Sequence, residues 1–214
     1  IPPIFNSLLS CTMKRLLKMG GINHLGPVRR FWEYDFATQK WTQNEDIPFS
    51  FYRATSVSLD SEELIVTNTG QVWTYNYSSK RFSRKNDYTP QSDEIIFVFK
   101  EDNQVYLATY GATLSYDFQS DTWEELSKNN TTPNSSRPHA LGFYANGNAY
   151  ILQNGAFLYK YSKETNNWIL SGKYPGCGVS GLYPVVFVIE DTAYIAATWS
   201  STGGCAPLMF AYRD

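Results

Sequence analysis

Tyrosines recur at positions 34, 75, 116, 159 and 212, and the first four are each followed by a bulky aromatic, at 41, 82, 123 and 168. The intervals between the tyrosines are 41, 41, 43 and 53 residues. The segments that stack on this beat are FWEYDFATQKW (31–41), VWTYNYSSKRF (72–82), TLSYDFQSDTW (113–123) and FLYKYSKETNNW (157–168), followed by LMFAYRD (208–214). A period of about 40 to 50 residues built only from strand-like pieces is the signature of a β-propeller blade.

Alternation and turn residues divide each unit into short strands. The fourth reads as HALGFYA, NAYILQ, AFLYKY and NWIL, separated by NG, NG and SKETN, which makes four strands and three tight turns of one antiparallel blade. Second strands such as ELIVTNTG, QVYLATYG and NAYILQNG end in glycine, where a reversing chain favours positive φ. EIIFVFK and PVVFVIE are apolar at consecutive positions, as expected of inner strands buried on both faces. The expected fold is therefore all-β, a propeller of about five four-stranded antiparallel blades in one domain over 1–214. The units run approximately 1–45, 46–87, 88–130, 131–172 and 173–214. The recurrent Tyr and Trp residues are expected to be core between sheets.

MGGINHLGPVRRFWEYDFATQKW, with Gly20 and Gly21, then Tyr34, then Trp41, resembles the kelch repeat. Units two, three and four keep one glycine each (Gly70, Gly111, Gly155), unit two has Phe82 in place of tryptophan, and unit four carries two more residues between Tyr159 and Trp168. The chain is most similar in flavour to divergent kelch proteins of bacterial cell surfaces. That likeness implies an extracellular or cell-surface location, with the cytoplasm as the alternative.

The opening IPPIF lines up with DIPFSF (46–51), and the last residues fall inside the third strand of the fifth unit. The last blade is thus expected to lack its outer strand. Either the chain is a fragment of a longer propeller or another chain or segment completes blade five, residues 1–6 among the candidates. An open edge is a liability that proteins cover.

Composition narrows the partners. Aromatic residues make up 16%, apolar residues 43% and charged residues 18% of 214 positions, and the formal net charge is −2. These values exclude a solvating acidic tail, a strongly basic nucleic-acid binder and most disordered classes. No membrane span is expected, because VVFVIEDTAYIAA breaks at Glu190 and Asp191. In IPPIFNSLLSCTMKRLLK the basic residues follow the apolar run, so any export signal is expected to be already removed or never present. Residues 1–32 hold Lys14, Arg15, Lys18, Arg29 and Arg30 with no acid, leaving the rest at net −7. That asymmetry favours an acidic partner or a solvated edge over a nucleic-acid site. Sequons at Asn76, Asn129, Asn130 and Asn134 are about as many as chance provides, and NNTTPNSSRP reads as an exposed loop.

In propellers of the kelch class, loops from an outer strand to the next inner strand share a face with loops between second and third strands. That face would carry His24, Arg29, Arg30, Tyr52, Arg53, Tyr110, Arg137, His139, Tyr174, Tyr183 and Trp199 as binding candidates, arginines and aromatics being enriched at hot spots. Cys177 and Cys205 fall in two of these loops, either free or joined in a disulfide. Cys11 reads as inner-strand core. The resemblance also raises catalysis, because some kelch-type propellers are copper oxidases or sialic acid mutarotases. The only histidines, His24 and His139, lie in different units without further ligands, and no nucleophile elbow, zincin helix or phosphate loop occurs. The acid pairs Glu62–Glu63, Glu124–Glu125 and Glu190–Asp191 read as solvated hairpin or outer-strand residues. No enzyme activity, cofactor or metal is expected. The leading expectation is a scaffold that binds a protein partner through one loop face. The alternatives are glycan binding through Tyr52, Tyr110, Tyr183 and Trp199, and a sugar-modifying enzyme.

Overall fold

A computed structural model describes residues 8–11, 15–51, 53–89, 95–128, 140–153, 157–173, 184–197 and 208–212. The chain is all-β, a β-propeller of five antiparallel sheets. The first sheet joins β1 (Leu8–Cys11), β2 (Arg15–Met19), β5 (Phe31–Asp35) and β6 (Lys40–Gln43), with a small hairpin of β3 (Ile22–Asn23) and β4 (Gly26–Pro27) inserted between β2 and β5. The second is the meander of β7 (Ala54–Ser58), β8 (Glu62–Thr67), β9 (Val72–Asn76) and β10 (Arg81–Lys85). The third holds β11 (Ile95–Glu101), β12 (Gln104–Thr109), β13 (Ala112–Asp117) and β14 (Thr122–Lys128), and the fourth β15 (Ala140–Ala145), β16 (Asn148–Gln153), β17 (Phe157–Ser162) and β18 (Asn167–Lys173). The fifth has three strands, β19 (Pro184–Ile189), β20 (Thr192–Ala197) and β21 (Leu208–Tyr212). Residues 1–6, the candidates for its missing edge, lie outside the described residues. Among the described residues no helix is long and apolar enough to cross a membrane.

The repeat is written in turn chemistry as well as in aromatics. The hairpin between third and fourth strands places Gln39, Lys80, Asp121 and Asn166 at φ of 56°, 55°, 52° and 50°. Before two of these turns a side chain accepts from the N–H groups of the turn itself. Asp35 Oδ1 accepts from Thr38 N–H at 2.8 Å, and Asn76 Oδ1 accepts from Ser78 and Ser79 N–H at 3.1 and 2.9 Å. Such side-chain caps fix a hairpin turn locally. The Thr38 bond also holds the Asp35 carboxyl below its ordinary range.

Two compact units are present, Ile1–Val98 with Phe118–Thr122, and Phe99–Asp117 with Trp123–Asp214. In the first, Leu17, Met19 and Phe31 pack with Ile47, Phe49 and Phe51 of the connection and with Ile65 and Tyr75. Phe31 meets Tyr75 edge-on at 4.9 Å and Phe49 stacks on Trp73 at 4.9 Å, geometries that add about 0.5–1.5 kcal/mol per pair beyond burial. In the second, Phe143, Tyr150, Leu152 and Leu158 pack with Ala193 and Ile195, Phe99 stacks on Tyr106 at 5.1 Å, and Trp168 Nε1–H donates to the buried Thr113 Oγ1 at 2.9 Å.

Five expectations change. In the fourth sheet it is Tyr161, not Tyr159, that stands opposite Trp168, so Tyr and Trp keep the seven-residue step of Tyr34–Trp41 and Tyr75–Phe82. A register shift between Leu158 and Tyr159 absorbs the insertion. Positive φ holds at Gly20, Gly21 and Gly70 but not at Gly111. The inner strand PVVFVI is not covered on both sides, since Phe187, Val188 and Ile189 are 43%, 39% and 54% exposed. Glu63 is not a solvated hairpin acid. It lies fully buried in β8, opposite Ser58, and its Oε2 accepts from Ser58 Oγ at 2.8 Å and Tyr77 Oη at 2.7 Å. The core reading of the repeated aromatics holds for Tyr75, Tyr116, Tyr161 and Trp168, whereas Trp41 is 47% exposed.

Candidate functional site

At one end of the first two sheets, the candidate loops are built on backbone bonds. After β2, Gly20 and Gly21 turn the chain at φ of 58° and 115°. Gly20 N–H donates to Arg30 C=O and Val28 N–H to Gly21 C=O, both at 2.9 Å, closing the base of the β3–β4 hairpin. Its two-residue tip is His24 and Leu25. Both are exposed, Leu25 to 84%, and the exposed Arg29 and Arg30 stand at the base. Ile47 N–H donates to Arg29 C=O at 2.8 Å, and Phe51 lies against Gly20, so the 20–30 and 47–53 loops come together. Arg53 joins them through its backbone, which exchanges bonds with Asn68 (Asn68 N–H to Arg53 C=O, 3.0 Å; Arg53 N–H to Asn68 Oδ1, 3.3 Å). Tyr88 Oη–H reaches Thr67 C=O at 3.3 Å, and burial pushes that hydroxyl up to about 12.

The threonine cap of the turn that carries Asn68 recurs one repeat on, in a turn one residue shorter. Thr67 Oγ1 accepts from Gln71 N–H at 3.1 Å, and Thr109 Oγ1 accepts from Ala112 N–H at 2.9 Å. Both threonines are buried, and the pair Thr67/Thr109 was a legible repeat signal beside the glycines.

His24, Arg29, Arg30 and Arg53 are therefore brought to one end of the first unit. Tyr110, in the second unit, is half-buried, and its hydroxyl accepts from Ala140 N–H at 2.9 Å, a tether at the start of β15. Tyr52, Arg137, His139, Tyr174, Tyr183, Trp199, Cys177 and Cys205 lie outside the described residues. Among the described residues no three His, Cys, Asp or Glu side chains cluster as a metal site.

Sequence reasoning missed a second feature of the first unit. A crevice of about 570 Å³ lies between the 44–48 connection and the 79–82 hairpin, with Phe31 and Phe82 among the residues that line it. Glu45 and Asp46 are on one wall, Lys80 and Arg81 on the other. Beside it Glu33 is buried within a polar cluster. Arg15 Nη1 is 2.7 Å from its Oε1, Lys80 Nζ is 3.4 Å from its Oε2, and Asn44 Nδ2–H donates to Oε2 at 3.2 Å. Burial, and secondly the Glu33 charge, push the Tyr75 hydroxyl up to about 12, with Arg15 opposing.

Comparison with models of protein families finds none that matches the chain, and no curated protein matches it significantly.

Proposed function

We propose that this chain is a non-catalytic, kelch-like propeller that docks a protein partner through the loop end of its first two sheets. The observation that carries the reading is Leu25, 84% exposed at the tip of a hairpin whose base is closed by two backbone bonds. An apolar side chain held out on a braced turn loses little entropy on docking and gains the burial of its whole surface, about 1.5–3 kcal/mol for a leucine. Arg29, Arg30 and Arg53 stand at the same end as a cationic set, which favours an acidic rim on the partner and speeds encounter. The kelch likeness of 19–41 supports the same reading, because the double glycine is what launches this hairpin.

The test compares capture by the wild-type chain with capture by Leu25→Asp and by Arg29→Glu/Arg30→Glu from the native extract. The expected result is one stoichiometric protein lost with Leu25→Asp and weakened by raised salt and by the arginine variant. Recovery of the wild-type chain alone, or a partner held equally by all three, overturns the proposal.

A further inference from the structure

We infer that the crevice between the 44–48 connection and the 79–82 hairpin binds a small zwitterion carrying an α-ammonium and a carboxylate group. The repeat supplies an internal reference. One period on from Glu45 and Lys80 are Asn86 and Asp121, at the same places in the repeat and also in the first unit. Those two are fastened together: Asn86 N–H donates to Asp121 Oδ1 and Oδ2 at 3.0 and 3.2 Å, and Asn86 Nδ2–H to Asp121 C=O at 2.8 Å. Glu45 and Lys80 make no such bond. Lys80 turns instead to Glu33 at 3.4 Å, and the space of about 570 Å³ stays open. That volume falls within the range of about 300–1,000 Å³ typical of small-molecule sites.

The walls define the ligand. Glu45 and Asp46 offer carboxylates on one side, and Arg81 and Lys80 offer donors on the other. Glu45, Asp46 and Arg81 form no side-chain hydrogen bond or ion pair with another described residue, although opposite charges line one cavity. A ligand with one positive and one negative end satisfies both walls at once, with a guanidinium–carboxylate contact at one end and a carboxylate–ammonium contact at the other. A singly charged ligand would meet one wall of its own sign. Half-buried Phe82 and exposed Pro48 in the lining give an apolar surface for a side chain of the ligand.

Two sources share this chemistry, a free amino acid and a short peptide, and calorimetric titration distinguishes them with L-phenylalanine and the tripeptide Ala-Phe-Ala. Saturable one-to-one binding of either supports the inference, and the tighter of the two identifies the source. N-acetylation or C-amidation of that ligand is expected to weaken binding at least tenfold. Glu45→Gln and Arg81→Gln, both at exposed side chains, should each cost about tenfold with the melting temperature unchanged, corresponding to about 1.4 kcal/mol. The double variant Glu45→Asn/Lys80→Asp, which installs the pair found at 86 and 121, should abolish binding. No saturation up to about 10 mM, where binding is weaker than about 3 kcal/mol, overturns the inference. Equal binding of blocked and free ligands, or indifference to Glu45→Gln and Arg81→Gln, does so as well.

Discussion

Gly20→Ala separates two costs that the structure assigns to one atom. A Cβ at Gly20 would lie 2.6 Å from Phe51 Cζ, 2.7 Å from Phe51 Cε1 and 3.4 Å from Ile47 Cδ1. Phe51 is 2% and Ile47 1% exposed, so the ring has no solvent to move into. Overpacking of this kind costs about 1–3 kcal/mol. The backbone adds a second cost, because Gly20 sits at φ 58° and an L-residue there loses about 1–2 kcal/mol. The expected total is about 2–5 kcal/mol, or about 4–20 °C in Tm for a chain of this size. Urea unfolding followed by tryptophan fluorescence measures it. In a Phe51→Leu background the two ring atoms nearest the new methyl are gone, and the cost should fall to the backbone part of about 1–2 kcal/mol. Gly111→Ala is the control: no atom lies within 4 Å of its Cβ position and its φ is not positive, so the change should stay within about 0.5 kcal/mol. A Gly20→Ala cost below about 1 kcal/mol, or one unchanged by Phe51→Leu, refutes the reasoning.

Three further outcomes are expected. Trp168→Phe leaves the buried Thr113 hydroxyl without its 2.9 Å donor and should cost about 1–3 kcal/mol, while adding Thr113→Val should recover part of that loss in a double-mutant cycle by chemical denaturation. Tyr75 and Tyr88 hold their protons up to about 12 in the folded chain against about 10 when unfolded; the unfolded state therefore binds fewer protons across that window, and stability should fall between pH 10 and 12 by up to about 1.4 kcal/mol per pH unit for each. Absorbance at 295 nm should show two classes of tyrosine, and a single class titrating near 10 in the folded protein contradicts this. Glu190 and Asp191 form the β19–β20 turn with φ of 46° and 59°, so Glu190→Asn with Asp191→Gly should stabilise by about 1–2 kcal/mol, seen as a raised Tm.

The sheets were legible because their determinants are local and periodic. Tyr34, Tyr75 and Tyr116 are 41 residues apart, and each stands in the third strand of its sheet, seven residues before the aromatic of the fourth. Where the period slipped, so did the reading. FLYKYS offers Tyr159 and Tyr161, and which one faces Trp168 depends on a register shift at Leu158/Tyr159 that no single residue announces. Glu63 illustrates a second limit. Beside Glu62 it looks like one of two solvated acids, yet alternation along β8 sends the two to opposite faces, and Glu63 points to Ser58 and Tyr77. Burial followed by the Glu63 charge then holds the Tyr77 hydroxyl well above its usual range.

The candidate site divides along the same line. His24, Arg29, Arg30 and Arg53 could be placed from their positions between strands, because strand order alone decides which loops share an end. Leu25 is not legible as a site in the sequence, since exposure of an apolar residue depends on what stands near it in space and not on its letter. The crevice is further from the sequence still. Glu45 and Lys80 are 35 residues apart and each is an ordinary polar turn residue. They become informative only against Asn86 and Asp121, which are also 35 apart and closed on each other by three hydrogen bonds. A repeat protein provides its own reference state in this way: positions that repeat in identity maintain the fold. At Glu45 and Lys80 the place repeats but the charge changes, and the bonds that close Asn86 on Asp121 are absent, which is the contrast the zwitterion proposal rests on.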